Sequence, residues 1–317
     1  MSGDTWLKID VFTTSEGIEP LYGMLLSMGI ESAEIADEQD FESFLEKNTQ
    51  YWDYVDEALR QEMHAPTRVT VYVRDDVNGR ETLLLLRENV KRLKAENAAV
   101  GSLDIKIADV GEDDWFAEWK QYYKPFRVGD GITIVPAWED FAGEGIVLRI
   151  NPGMLFGTGS HNTTRLCIEI LEKQIKPGCN VFDVGCGSGI LSILSLLLGA
   201  SSALAVDIDA AAPRIAHENA ELNGIGKDVY TVLHKNILEE EVTDQRFDLV
   251  VANIVADVII PLSAKVGKYI KEDGVFLCSG IIQDRLDDVL KALAQNGFRL
   301  LEKKQDGEWW AVLSGKE

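Results

Sequence analysis

The sequence predicts an α/β chain in two parts. An N-terminal α+β half has a ferredoxin-like order of elements. A C-terminal half carries a doubly wound, mostly parallel sheet with an antiparallel C-terminal edge. Three observations support this. Apolar residues alternate at period two in the first hundred residues, with helical spacings between them. From about residue 160 the strands lose that alternation and amphipathic helices separate them. A glycine-rich turn, "DVGCGSG" at 183–189, joins the first of these strands to its helix.

In the first half, Leu7, Ile9 and Val11 alternate, as do Val69, Val71 and Val73, and Leu103, Ile105 and Ile107. Such strands bury one face. Ala33 and Ile35 suggest a fourth strand. Ile18, Leu21, Tyr22, Leu25 and Leu26 follow helical spacing, with Pro20 acceptable only in the first turn. Leu83, Leu86, Val90 and Leu93 form a second helical stripe after an expected turn at Asn78-Gly79. The order β-α-β, insertion, β-α-β places two helices on one face of an antiparallel sheet. The insertion, roughly 37–65, holds the acidic run "DEQDFESFLEK".

Residues 112–122 read as a short linking helix with Trp115 and Trp119 at i, i+4, followed by strands. Further strands are expected near 180–184, 202–207, 229–233, 247–252 and 275–279, with helices between them. Apolar strands alternating with helices argue for a parallel sheet covered on both faces. The end, "GFRLLEKKQDGEWWAVLSG", reads instead as two antiparallel strands with a turn at Asp306-Gly307.

Hydrophobic residues make up 46% of the 317 and charged residues 26%, enough to bury a substantial core. No apolar run of about 18 residues predicts a membrane span, and the start lacks the regions of a signal peptide. The four cysteines form no Cys-x-x-Cys pair, and the four histidines do not sit at ligand spacing. A reducing cytosol is therefore expected, with no metal site. Net charge is −22. That surface repels nucleic acid and attracts basic partners, though many cytosolic proteins are simply acidic.

The glycine turn sits where doubly wound, Rossmann-like sheets bind nucleotide-like cofactors. A dinucleotide fingerprint needs G-x-G-x-x-G. Counting from Gly185 and Gly187, the third glycine falls at Gly189, and position 190 is Ile190. Asp183 precedes the turn. Its charge opposes a pyrophosphate and suits the ammonium of S-adenosylmethionine, directly or through water. Gly185 and Gly187 let the backbone approach the donor's amino-acid end. Asp207, 22 residues after Gly185, ends a strand where a carboxylate accepts ribose hydroxyls. Asp209 shares that face, so alternation does not choose between them; Asp207 is nearer the strand end and is preferred, with Asp209 alternatively an N-cap for the next helix. Asn236 could touch the adenine edge or simply make a turn.

The stretch "FDLVVANIVADVII" at 247–260 puts Asn253 at the end of a buried strand. Methyl transfer needs a neutral amine with its lone pair aimed at the methyl carbon. The Asn253 amide oxygen and a backbone carbonyl such as that of Ile254 could accept its two N–H groups, a catalytic role of orientation rather than basicity. The alternative is an N-cap for a helix near Asp257. Glutamine methyltransferases place an N-P-P-[YF] asparagine here, whereas this chain reads "NIVA".

Together "ANIVA", "FDVGCGSGILSI", "LAVDIDA", "INPGMLFGTGSHNTTRL" and "WKQYYKPFRVGDGITIVPAW" resemble the bacterial methyltransferases of large-subunit ribosomal protein eleven, the PrmA type. The resemblance implies a substrate-recognition domain over 1–110, a linker helix region over 111–128 and a class I methyltransferase domain over 129–317. It implies methylation of lysine side chains and the α-amino group of that ribosomal protein; the charge, the cysteine usage and the lack of a long apolar run add the expectation of a cytoplasmic enzyme without direct nucleic-acid or membrane binding. Carried over residue by residue, the donor-binding positions fall on Thr164, Gly185, Asp207 and Asn253. Read by itself, the segment holding Thr164 is a glycine-rich turn before a helix. Thr163 or Thr164 could cap that helix, or the loop could lie over the cofactor, and His161 reads as structural. Two departures are Ala210 where the family has proline after "DID", and Asn162 where it often has proline. Competing readings are methylation of another protein or a small amine, or a non-catalytic module binding the donor or NAD.

Overall fold

The computed structural model describes residues 6–30, 33–37, 66–96, 98–107, 124–151, 159 and 161–316. Most of the acidic insertion, the expected helix with Trp115 and Trp119, and most of the loop before Thr164 lie outside the described residues. The chain divides into two compact units, Met1–Tyr122 and Tyr123–Glu317.

The first unit contains β1 (Trp6–Phe12), α1 (Ile18–Ser27), β2 (Ala33–Ala36), β3 (Arg68–Arg74), α2 (Val77–Glu96) and β4 (Ile105–Ile107). The sheet runs β2-β3-β1-β4, with every pairing antiparallel. The alternating residues face the helices: Ile9, Val11, Val69 and Val71 pack with Leu21, Leu25, Leu83 and Leu86. Each fully buried aliphatic side chain contributes roughly 1.5–3 kcal/mol. Trp6 and Tyr72 stay exposed. Two expectations change. Asn78-Gly79 is inside α2 rather than in a turn, because Asp76 Oδ1 accepts the Gly79 N–H at 2.8 Å and starts the helix earlier. Glycine is required there, since a Cβ at Gly79 would lie 1.9 Å from the Arg74 carbonyl oxygen. Leu103 takes a left-handed backbone (φ 49°), so the last strand begins at Ile105.

The second unit opens with a small sheet of β5 (Phe126–Val128), β6 (Ile132–Pro136) and β7 (Ile146–Ile150). There follow α3 (Asn162–Gln174), β8 (Asn180–Val184), α4 (Ile190–Leu197), β9 (Ser202–Asp207), α5 (Ala212–Leu222), β10 (Tyr230–His234), β11 (Phe247–Asn253), α6 (Ala256–Val266), β12 (Ile270–Ile282), α7 (Leu286–Gln295), β13 (Phe298–Asp306) and β14 (Trp309–Lys316). The seven-stranded sheet has the order β10-β9-β8-β11-β12-β14-β13. Strands β8 to β12 are parallel, and β14 and β13 pair antiparallel at the edge. Successive strands step one way from β8 and the other way from β11. The carboxyl ends of β8 and β11 therefore flank the switch point, where such sheets hold ligands. Leu249 to Ala252 are buried, and the Phe182 and Phe247 rings stack at 5.1 Å, which fixes the register of these two strands. Strand β12 is longer than its apolar run predicts, and the hairpin closes through Gly307-Glu308, since Asp306 still pairs with Trp309.

Candidate active site

From Val184 the chain turns through Gly185, Gly187 and Gly189, with φ of 74°, 49° and 82°. At Gly185 a Cβ would meet Ile254 Cγ2 at 2.5 Å, so the turn lies directly against the residue after Asn253. The N–H groups of Gly185 and Cys186 donate to the Val206 carbonyl at 2.8 and 3.2 Å. The Gly187 N–H donates to Asp207 Oδ2 at 2.8 Å.

Asp183 is 1% exposed. Its Oδ2 accepts the N–H and hydroxyl of Ser192, at 3.1 and 2.6 Å. Its Oδ1 is buried without a hydrogen-bond partner among the described residues. Burial pushes its pKa up to about 7, against the pull of the Ser192 bonds. Asp207 is also buried, and burial raises its pKa while hydrogen bonds from the Asp209 and Gly187 backbone oppose the rise. Its Oδ1 accepts the Asp209 N–H at 2.8 Å. Each carboxylate oxygen keeps a lone pair for a further donor. Asp209 is not the N-cap of α5, which is Ala211 without a side-chain bond; its Oδ1 accepts the Ala211 N–H at 2.8 Å in the turn before the helix. The Asn236 oxygen accepts the Leu238 N–H at 3.0 Å, which gives it a turn role.

Asn253 does not cap α6, whose N-cap is Val255 without a side-chain bond. Its Nδ2 donates to Thr164 Oγ1 at 3.2 Å. Among the described residues no hydrogen bond engages its Oδ1. Thr164 is fully buried in the first turn of α3. Neither threonine caps that helix. The cap is His161, whose Nδ1 accepts the Thr163 N–H at 3.3 Å. Burial lowers its pKa to about 4, which keeps the ring neutral near pH 7. Trp309 packs edge-on against it at 5.1 Å. Ser279 faces Asn253 across β12; its carbonyl accepts the Ile254 N–H at 3.0 Å and its hydroxyl lies 3.2 Å from the Thr163 carbonyl. Asn162 Nδ2 donates to the Asp306 carbonyl at 3.4 Å.

The family model described as "Ribosomal protein L11 methyltransferase (PrmA)" matches residues 5–317.

The chain belongs to the ribosomal protein L11 methyltransferase family.

Curated relatives with that name include proteins of Thermoanaerobacter pseudethanolicus, 40% identical over 98% of this chain and 99% of theirs, and of Caldicellulosiruptor bescii, 41% identical over the same shares. A crystal structure of a ribosomal protein L11 methylase from Lactobacillus delbrueckii subsp. bulgaricus is 35% identical. It covers 62% of this chain and 99% of its own, with a TM-score of 0.57. As a member of the L11 methyltransferase family, this protein is a class I methyltransferase and its cofactor is S-adenosylmethionine.

The residues present fit that cofactor. Gly185 has a left-handed backbone (φ 74°) and keeps the turn bare of side chain against Ile254, Asp207 has acceptor capacity for hydroxyls, and Asp183 sets a carboxylate beneath a turn that a phosphate would avoid. Among the described residues no group of three His, Cys, Asp or Glu could hold a metal, and no helix is long and apolar enough to cross a membrane. Sequence reasoning missed Ser192 and Ser279. Ser192 was detectable as a polar residue in the apolar run "ILSILSLL". Ser279 needed the strand register.

Proposed function

We propose that this enzyme moves methyl groups from S-adenosylmethionine to lysine side chains and the α-amino group of ribosomal protein L11. The observation that carries this reading is the corner at Asn253. Its amide nitrogen is committed to Thr164 at 3.2 Å, which leaves its oxygen to accept. The corner abuts Gly185 through Ile254. Gly185, Gly187, Asp183, Asp207 and Thr164 hold the donor, which supplies an electrophilic methyl group on a sulfonium. Lysine has a reference pKa of about 10.4, so the neutral amine must be favoured and aimed. The Asn253 oxygen and a neighbouring backbone carbonyl accept its N–H groups and turn its lone pair toward the methyl carbon. The bound donor would supply its methyl group to the amine that Asn253 holds, leaving as the thioether, and the methylated amine would release its proton to water.

The N-terminal unit grips the substrate, and the linker lets several amines reach one site. The acidic surface draws a basic protein partner and disfavours nucleic acid, and the enzyme works in the cytoplasm. Incubation with labelled donor and purified ribosomal proteins, followed by mass spectrometry, tests this reading. Label on L11 lysines and its N-terminus is expected. Label confined to other proteins or small amines would overturn it.

A further inference from the structure

Asn219 lies in α5 and is fully buried, yet nothing in the chemistry above uses it. A buried amide is costly unless both ends find partners. Here both do, and neither partner is in its own helix. Its Oδ1 accepts the Asn151 N–H at 2.7 Å, and its Nδ2 donates to the Ser188 carbonyl at 2.8 Å. Ser188 stands between Gly187 and Gly189 in the glycine turn. The other side of the Ser188–Gly189 peptide is held too, since the Gly189 N–H donates to the Cys186 carbonyl at 2.8 Å. That peptide is thus pinned at both its oxygen and its nitrogen.

The next turn of α5 supplies an internal comparison. Asn223 Oδ1 accepts the Arg149 N–H at 2.8 Å, and its Nδ2 donates to the Arg149 and Asn219 carbonyls. Both amides tie the helix to the chain around β7. Only Asn219 also reaches the glycine turn. A leucine at 219 would fill similar volume and favour the helix more. What the amide adds is a fixed orientation for one peptide of the turn.

We propose that Asn219 is a positioning residue for donor binding: by pinning the Ser188–Gly189 peptide it holds the glycine turn in the shape that receives S-adenosylmethionine. The proposal rests on the reading that this turn holds the donor. A pre-shaped turn loses less freedom on binding, so the effect falls on affinity rather than on the chemical step.

Calorimetry with S-adenosylmethionine on the full chain, with steady-state kinetics, tests it. N219L removes both bonds. N219D keeps an acceptor for Asn151 and sets a second acceptor against the Ser188 carbonyl, so it isolates the turn. Both should weaken donor affinity and raise the donor KM by about tenfold, equivalent to about 1.4 kcal/mol. Turnover at saturating donor should stay within about threefold, and N223L should bind as the parent does. Circular dichroism melts check folding, and N219D carries the test where N219L does not fold. Donor affinity unchanged in N219D, or weakened as much in N223L as in the Asn219 variants, would overturn the proposal. Failure of the parent enzyme to bind the donor would refute the underlying reading of the turn, and the proposal with it.

Discussion

The two large sheets treat polar side chains in opposite ways. In the four-stranded sheet the helices among the described residues pack on one face, and polar groups stand mid-strand on the other. Lys8 pairs across from the exposed Tyr72, and only Thr70 is buried, its hydroxyl donating to Asp10 at 2.6 Å. In the seven-stranded sheet both faces are covered, and in the parallel strands buried or half-buried polar residues stand toward the carboxyl ends: Asp183 on β8, Asp207 on β9, Asn253 on β11 and Ser279 on β12. Each is tied to a loop or to a helix start. Water satisfies a polar group on an open face at little cost. In a dry sheet each must find a protein partner, and those partners are the segments that build the site. A polar residue is therefore informative in the second sheet and nearly silent in the first.

The strongest test of that contrast is N253A. Turnover should fall by about 100-fold, the scale expected when a reacting group is misplaced, while calorimetry shows donor affinity within about threefold. Unchanged turnover would remove the orientation role. Next, D207A should weaken donor binding by between about tenfold and 100-fold, since hydrogen bonds to a charged group contribute roughly 1.5–3 kcal/mol; normal affinity would send the ribose elsewhere.

A smaller effect concerns pH. The Asp183 pKa is raised from 3.8 to about 7 by burial, so its contribution to stability is present at low pH and is lost as pH rises from about 4 to 7. His161 acts oppositely: its pKa is lowered from 6.5 to about 4, and its contribution is lost as pH falls through that range. D183N should remove only the first trend. Denaturant midpoints compared with the parent should show the variant gaining relative stability from pH 4 to 7; parallel curves would contradict this. The smallest effect is on the open face. K8A, at the position paired across from the exposed Tyr72, should cost under about 1 kcal/mol, as surface substitutions do, measured by urea unfolding. A cost of several kcal/mol would break the comparison between the sheets.

Much of this was legible in the sequence where the signal is local. Leu7, Ile9 and Val11 mark their strand by alternation, and the spacing of Gly185, Gly187 and Gly189 separates this turn from a dinucleotide fingerprint. Thr164 was named as a donor position by resemblance alone. Local signals failed where a neighbour outcompeted them. Asp76 started a helix across Asn78-Gly79, and the His161 ring took the cap that hydroxyls usually supply. Ser279 and Asn219 were invisible because their partners, Thr163 and Ser188, are 116 and 31 residues away. Only the strand register and the packing of α5 bring them together.

The struts at the start of α3 also have a consequence in time. His161 leans on Trp309, Asn162 on Asp306, and Thr163 on Ser279. A ribosome making this chain emits α3 first and β14 about 140 residues later. At synthesis rates of about 5–20 residues per second, Thr164 waits roughly seven seconds or more for the parts that hold it beneath Asn253. Chains shortened to end before β13 carry the whole glycine turn and the Ser279 tie but lack the Asp306 and Trp309 contacts at the start of α3. The full set of contacts at the start of α3 is thus completed only by the last two strands of the chain.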